Sequence, residues 1–406
     1  MGMVCYMRKM TQEFIQVILL VIYRIFVKLL PINHKVILFE SNHGRNYCDN
    51  PKYIYEEFIK RGLDKEYNLV WILEDTDIEI LGRNKKIKRL GLKYFYYLAI
   101  AKIWIFNCRE PEFLVKRKDC IYVQTWHGTP LKKLGLDMTV MNMGGKTDLE
   151  AYKKEFYDST RKWDFIISQN KYSTEIFKSA FTFENKEIWE IGYPRNDILI
   201  EGNNADYINK LKQKLGIPND KKVILYAPTW RDDEYHNYDW YKFSTNIDLD
   251  YMRKHLEDEY VLIIKMHYLV MDKLDVDAYR GFVYVYTPTQ DIQELYLVSD
   301  ILITDYSSVM FDYSMLKRPI IFYAYDLDKY KNNIRGFYFD LFEDAPGPVV
   351  TKNDELLKAI RDIEHDFQHK YKYSFVKFYN KFNHIDDGKA SEKFVDNLLS
   401  KIKNQK

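Results

Sequence analysis

A chain of 406 residues with 47% hydrophobic and 30% charged residues can bury a sizeable core and should divide into two domains plus extras, which excludes a disordered protein. Its 61 Lys and Arg nearly balance 59 Asp and Glu, so no global field recruits nucleic acid and any anion site must come from a local cluster. Four cysteines, Cys5, Cys48, Cys108 and Cys120, are spaced too widely and irregularly for a zinc site or a disulfide framework, which makes a reducing cytosol the default.

Phe14 to Pro31, "FIQVILLVIYRIFVKLLP", is the most apolar stretch. A spanning helix needs ~20 apolar residues, and Arg24 and Lys28 interrupt this one too early. On a helical wheel Lys9, Glu13, Gln16, Arg24 and Lys28 share a sector, into which Val17, Leu20 and Val27 intrude. This pattern predicts a helix lying in a membrane surface, residues 1–31, with a helix packed on the first domain as the alternative. No small-residue cleavage site follows, which argues against a signal peptide and keeps the bulk of the chain in the cytoplasm.

Beyond Pro31 short apolar runs alternate with longer amphipathic segments. "KVILFES", "NLVWIL", "KIWIFN" and "CIYVQTW" read as buried strands, and "NPKYIYEEFIKRG" and "LKYFYYLAIA" as helices. "KEIWEIGYPRND" closes the first half, and the polar segment "EGNNADYINKLKQKLGIPNDKK" separates it from a second half with the same grammar. There "KVILYAPTW", "YVLIIKMH", "GFVYVYT", "ILITDYSS" and "RPIIFYAYD" read as strands, with helices such as "DIQELYLVSD" between them. The expectation is α/β: two doubly wound domains, residues 32–205 and 206–385, facing each other across a cleft, and a C-terminal helix over 386–406.

Four groups of residues fall where strands should end, the edge at which such sheets bind ligands. In "TWHGTPLKK", His127 follows a strand, and an imidazole in a cleft can accept a hydroxyl proton while Lys132 or Lys133 attracts a phosphate. A loop histidine bonded to backbone, with solvated lysines, is an equal reading of that string alone. In "YAPTWRDDE", Arg231 can grip a phosphate, or pair with Asp232 or Asp233. In "IIKMHYLV", Lys265 and His267 alternate along a strand end and share a face, where a satisfied core histidine is the ordinary occupant. In "LITDYSSVMFDYSMLKRPIIFY" a strand ends at Thr304, and Asp305, Ser307 and Ser308 offer caps to a helix from about Ser308 to Arg318. Its start would attract an anion, and Asp312 one turn in could reach ribose hydroxyls; a plain capped helix is the alternative.

Taken together, "NPKYIYEEF", "WHGTPLKKLG", "GYPRND", "YAPTWRDDE", "LIIKMH", the long string from Asp291 to Tyr323, "RGFYFD" and "DGKASEKF" resemble the CDP-glycerol:polyglycerophosphate glycerophosphotransferase family, in order over residues 50 to 394. The resemblance implies the two-domain GT-B architecture with a membrane-associating N-terminal element. It implies His127 as base, with His267 as its catalytic partner in the other domain and, beside Arg231, on the donor pyrophosphate. Thr304, Ser307 and Ser308 would line the phosphate end, and Asp312 would hold ribose where related enzymes carry glutamate. Gly128, Thr129, Lys265, Asp305 and Arg195 complete the expected substrate-binding set, and Arg335 of "RGFYFD" is a weaker carry-over.

The activity so implied is transfer of glycerol-phosphate from CDP-glycerol to a hydroxyl of an undecaprenyl-linked teichoic acid acceptor at the inner leaflet, releasing CMP. No metal or other cofactor and no nucleic acid is expected, and homo-oligomerisation stays open. The alternatives are a glycosyltransferase of the same fold, a CDP-ribitol enzyme, and a membrane-bound nucleotide-binding scaffold without turnover.

Overall fold

The computed structural model describes residues 2–140, 148–184, 186–229, 235–237, 240–241, 246–265, 276–286, 290–326, 336–340, 343 and 345–404. Two parallel sheets organise it. The first contains β1 (Asn33–Glu40), β2 (Asn68–Leu73), β3 (Lys85–Lys88), β4 (Ala101–Phe106), β5 (Ile121–Gln124), β6 (Phe165–Ser168) and β7 (Ile188–Glu190) in the order β3-β2-β1-β4-β5-β6-β7. The second contains β8 (Lys222–Tyr226), β11 (Tyr260–Lys265), β12 (Val283–Tyr286), β13 (Ile301–Thr304), β14 (Ile320–Tyr323) and β15 (Val349–Val350) in the order β12-β11-β8-β13-β14-β15. A short hairpin of β9 (Tyr235–Asn237) and β10 (Trp240–Tyr241) lies between β8 and β11. The chain is therefore mixed α/β with two parallel sheets, as the alternation of apolar runs implies.

Central strands such as Leu69–Leu73 and Ala101–Phe106 are buried throughout, because helices cover both faces of a parallel sheet. In each lobe the first strand in sequence sits inside the sheet with later strands on both sides. The order therefore reverses between β1 and β4, and again between β8 and β13. A crevice forms at such a reversal, beyond the carboxyl ends of the strands. Those ends carry Ser41 and Asn42, Asn107 and Trp126–His127 in the first lobe, and Ala227–Thr229, Lys265 and Asp305–Ser308 in the second.

The chain crosses between lobes twice. After β7, Leu199 and Leu211 already belong to the core of the second lobe. The C-terminal helix Ala390–Lys403 returns to the first, where Phe394, Val395, Leu398 and Ile402 pack with Ile37, Phe39 and Trp71. Asp197 ties the two crossings together by accepting hydrogen bonds from the N–H groups of Ala390 (2.9 Å) and Ser391 (2.8 Å) at the start of that helix. A carboxylate there satisfies orphan donors and complements the helix dipole.

The N-terminal helix Gly2–Leu29 is two-faced. Leu19, Leu20, Tyr23, Phe26 and Val27 pack on the first lobe, and the Tyr23 hydroxyl donates to Val115 O (3.1 Å) while accepting from Val115 N–H (3.0 Å). Val17, Val21, Ile25 and Leu29, four residues apart, and Ile18 beside them are exposed, Leu29 at 76%. Among the described residues no helix is long and apolar enough to cross a membrane.

Two local expectations are corrected. The strand expected through Trp126 stops at Gln124, because the Gln124 Oε1 accepts the Trp126 N–H (2.9 Å) and Trp126 turns to φ 51°. The helix expected from Ser308 to Arg318 is only Val309–Tyr313 followed by a 3-10 turn over Ser314–Leu316. Pro319 disfavours helical backbone at Arg318, and Lys317 leaves the turn at φ 55°.

Candidate active site

A cavity of about 430 Å³ opens between the carboxyl ends of the two sheets, lined from one lobe by His127 and Gly128 and from the other by Lys265, Ser307 and Ser308. The approach is close at Gly128, where an added Cβ would lie 2.9 Å from Ser308 Oγ. Glycine is what lets the two lobes meet there.

The short turn after β5 places His127 on the wall of this cavity. Trp126 stacks on it at 4.4 Å between centroids and is itself packed against Phe181 at 4.7 Å. His127 Nδ1 lies 2.8 Å from the carbonyl oxygen of Asn107. A carbonyl only accepts, so Nδ1 carries the proton and Nε2 of the neutral ring holds a lone pair. Desolvation by the surrounding lobes lowers the His127 pKa; Arg195 and Arg109 act in the same direction, while the Asn107 carbonyl and Asp49 oppose it. This shift favours the neutral imidazole.

Behind His127 runs a buried chain of polar contacts. Asn107 Nδ2 donates to Asp49 Oδ2 (2.7 Å), Asp49 Oδ1 accepts from Arg195 Nη1 (2.9 Å), and Arg195 Nη2 pairs with Asp312 Oδ2 (2.8 Å) in the second lobe. Asn196 Nδ2 donates to the other Asp312 oxygen (3.0 Å). Asp312 therefore borders the cavity with both oxygens engaged across the lobes, as a tie rather than the open ribose acceptor expected from its spacing. A second tie joins Lys52 Nζ (2.6 Å) and Tyr53 OH (2.9 Å) to Asp291 Oδ2.

Backbone strain gathers here. Asn42, His43, Asp49 and Trp126 all have φ between 49° and 60°, the left-handed region that non-glycine residues seldom occupy. All four belong to the cavity wall or lie next to it in sequence.

In the second lobe Ser307 and Ser308 line the cavity, and the Ser308 hydroxyl makes no cap hydrogen bond. Lys265 donates to Gln290 O (2.8 Å), and burial lowers its pKa to about 8. Two expected lining residues are instead structural. Thr304 is fully buried and donates to Ala227 O (2.8 Å), while Asp305 accepts from Thr229 N–H (2.8 Å) and does not cap the following helix. Both are held inward at the end of a central strand, Thr304 as its last residue and Asp305 as the next. Thr129 reaches the cavity with its hydroxyl bonded to Gln169 Oε1. Lys132 lines the cavity. Arg231, His267 and Arg335 lie outside the described residues.

Asp49, Asn107, Lys52 and Asp291 were not singled out from the sequence. Asp49 and Lys52 do fall at or beside "NPKYIYEEF", but nothing local in that string signals that the carboxylate of Asp49 pairs with Arg195 or that the amine of Lys52 reaches Asp291 in the other lobe. Among the described residues one set of metal-type donors gathers, Glu40, His43 and Glu110. The Arg89 guanidinium already occupies it, 2.7 Å from Glu40 and 3.4 Å from Glu110. Burial, with repulsion from Glu110, pushes the Glu40 pKa up.

A histidine facing serine hydroxyls and a buried lysine across a cavity between two parallel-sheet lobes is an arrangement suited to group transfer. Residues 21–400 match the family CDP-Glycerol:Poly(glycerophosphate) glycerophosphotransferase, and the chain belongs to it. It is similar to the teichoic acid poly(glycerol phosphate) polymerase of Bacillus spizizenii, 44% identical over 93% of this chain and 95% of that one. It is 45% identical to the polymerase of the same name from Staphylococcus epidermidis over 92% of this chain, which spans about half (52%) of that longer protein. A solved structure of the wall teichoic acid polymerase TagF superposes with a TM-score of 0.88 at 42% identity, covering 99% of both chains. Among the matching structures is a His-to-Asn variant of that polymerase soaked with CDPG.

Proposed function

We propose that this transferase moves glycerol-phosphate from CDP-glycerol to a hydroxyl of a lipid-linked teichoic acid or related polyol-phosphate acceptor, with His127 as general base. The observation that carries the reading is the Nδ1–H contact to Asn107, which leaves Nε2 unprotonated in the cavity opposite Ser307 and Ser308. Nε2 takes the acceptor proton, the acceptor oxygen bonds to the phosphorus that bears glycerol, and the bond from that phosphorus to the bridging oxygen breaks as CMP leaves. Such transfers are accelerated chiefly by alignment and by neutralising phosphate charge. Ser307, Ser308 and Lys265 supply donors and charge, with Arg231 and His267 assigned to the donor pyrophosphate. Binding phosphate would restore a full charge to Lys265, whose pKa of about 8 sits close to neutrality.

The architecture is read as GT-B: two lobes with the reaction in the gap between them and the C-terminal helix folded back on the first. The N-terminal helix is read as a membrane-surface element. The apolar stripe from Val17 to Leu29, with Arg24 and Lys28 exposed beside it, suits insertion among lipid headgroups at the cytoplasmic face. CMP release from CDP-glycerol in the presence of a prenyl-linked acceptor tests the reaction. Release of a nucleoside diphosphate from a nucleotide-sugar, or binding without any release, would refute it, and a parallel incubation with CDP-ribitol decides the donor.

A further inference from the structure

We propose that Arg195 is a positioning residue which makes the orientation of His127 depend on the docking of the two lobes. The inference rests on the reading of His127 as the base and concerns how that base is held.

Arg195 lies on the short segment by which the chain leaves the first sheet, between β7 and the helix Asp197–Glu201. Arg195 is 5% exposed as a residue, and its guanidinium stands between the carboxylates of two residues that are also buried, Asp49 at 9% and Asp312 at 4%. One guanidinium arm holds Asp49 at 2.9 Å and the other holds Asp312 at 2.8 Å. Asp49 in turn fixes the Asn107 side chain at 2.7 Å, and the Asn107 carbonyl fixes Nδ1 of His127 at 2.8 Å. Asp312 belongs to the helix that starts beside Ser308, the residue packed against Gly128. Separating the lobes removes Asp312 from the guanidinium and, among the described residues, leaves it paired with Asp49. The chain of contacts from Asp312 to the imidazole is therefore complete only when Ser308 and His127 face the same space.

Lysine at 195 keeps the charge but offers one point instead of a planar fork, so it cannot bridge two carboxylates in opposite directions. Among the described residues, the charged and titratable groups that act most strongly on His127 include Asp49, Arg195, Arg109 and the neighbouring His43.

The experiment compares R195K, R195Q, D49N and H127A in the full chain by CMP release, by calorimetric binding of CDP-glycerol, and by the pH dependence of kcat/KM. R195K is expected to lower kcat at least tenfold with donor affinity changed less than about threefold. The acid limb should move to higher pH in R195Q, which removes a repelling charge, and to lower pH in D49N, which removes an attracting one. In the double variant, R195K should cost little beyond H127A, because its effect passes through the imidazole. Wild-type kcat in R195K with an unmoved acid limb overturns the inference, and so does a full, multiplicative loss in the double variant. Should R195Q fail to fold, R195K and D49N carry the same comparison. Normal turnover by H127A is a distinct result that removes the base itself, and this coupling with it.

Discussion

Gly128 and Ser308 stand on opposite lobes and leave no room for a methyl group: a Cβ on Gly128 would sit 2.9 Å from Ser308 Oγ and 3.4 Å from its Cβ. Gly128→Ala should therefore either part the lobes or displace the serine, at about 1–3 kcal/mol of overpacking, and lower kcat/KM by roughly tenfold or more. Adding Ser308→Ala removes the nearer atom and should relieve the packing cost without restoring full activity. Denaturant midpoints and CMP release on the two variants check both halves. Wild-type turnover by Gly128→Ala would show that the approach has no catalytic weight.

His127→Ala should lower turnover by about a hundred- to ten-thousandfold, the usual worth of a general base, with donor binding largely retained. Single-turnover CMP release together with calorimetric binding of CDP-glycerol separates the two quantities.

Because desolvation lowers the His127 pKa, the base should stay deprotonated to more acid pH than a free imidazole, whose pKa is ~6.5. The acid limb of kcat/KM is accordingly expected below that value. A limb above pH 7 would contradict the geometry.

His43 offers a stability test with a definite sign. Burial, with repulsion from Arg89 and Arg45, lowers its pKa to about 3, so the unfolded chain binds the extra proton between about pH 3 and the free value. Stability from this group is present above the unfolded pKa of ~6.5 and is lost as pH falls toward the folded one. The loss relative to His43→Gln should reach about 1–2 kcal/mol at pH 5 in urea unfolding. Taking the difference removes the opposite slope of Glu40 and Glu110, whose pKa values are raised.

Val21→Ser with Ile25→Ser should weaken co-sedimentation with anionic liposomes by on the order of tenfold or more, since each exposed apolar side chain is worth ~1.5–3 kcal/mol when fully buried. Thermal stability should change little, because both residues point away from the lobe. Deleting the helix is a poorer test, since it also strips Tyr23 and Phe26 from the first core.

Much was legible in the chain because it rests on local patterns. Apolar runs such as "NLVWIL" and "ILITDYSS" bounded by amphipathic segments announce parallel strands, and "TWHGTP" announces a histidine in a turn at a strand end. Less legible were the lengths of elements decided by side-chain hydrogen bonds, as where Gln124 ends β5 by accepting from Trp126. Asp305 and Thr304 look like ligand residues in the string, yet their partners, Thr229 N–H and Ala227 O, lie about 76 residues away and turn both inward.

What the amino-acid order determines unaided is the two-sheet α/β plan, the strand ends at which chemistry can collect, and the apolar first helix, since hydrophobic periodicity and turn chemistry act over a few residues. Only the tertiary structure decides that Asp49, Arg195 and Asp312 become one buried chain behind His127, joining residues up to 263 positions apart, and that the apolar helix divides its faces between the lobe and the outside. Those relations depend on which crossovers bring distant segments together, and no local spacing encodes the angle at which two lobes meet.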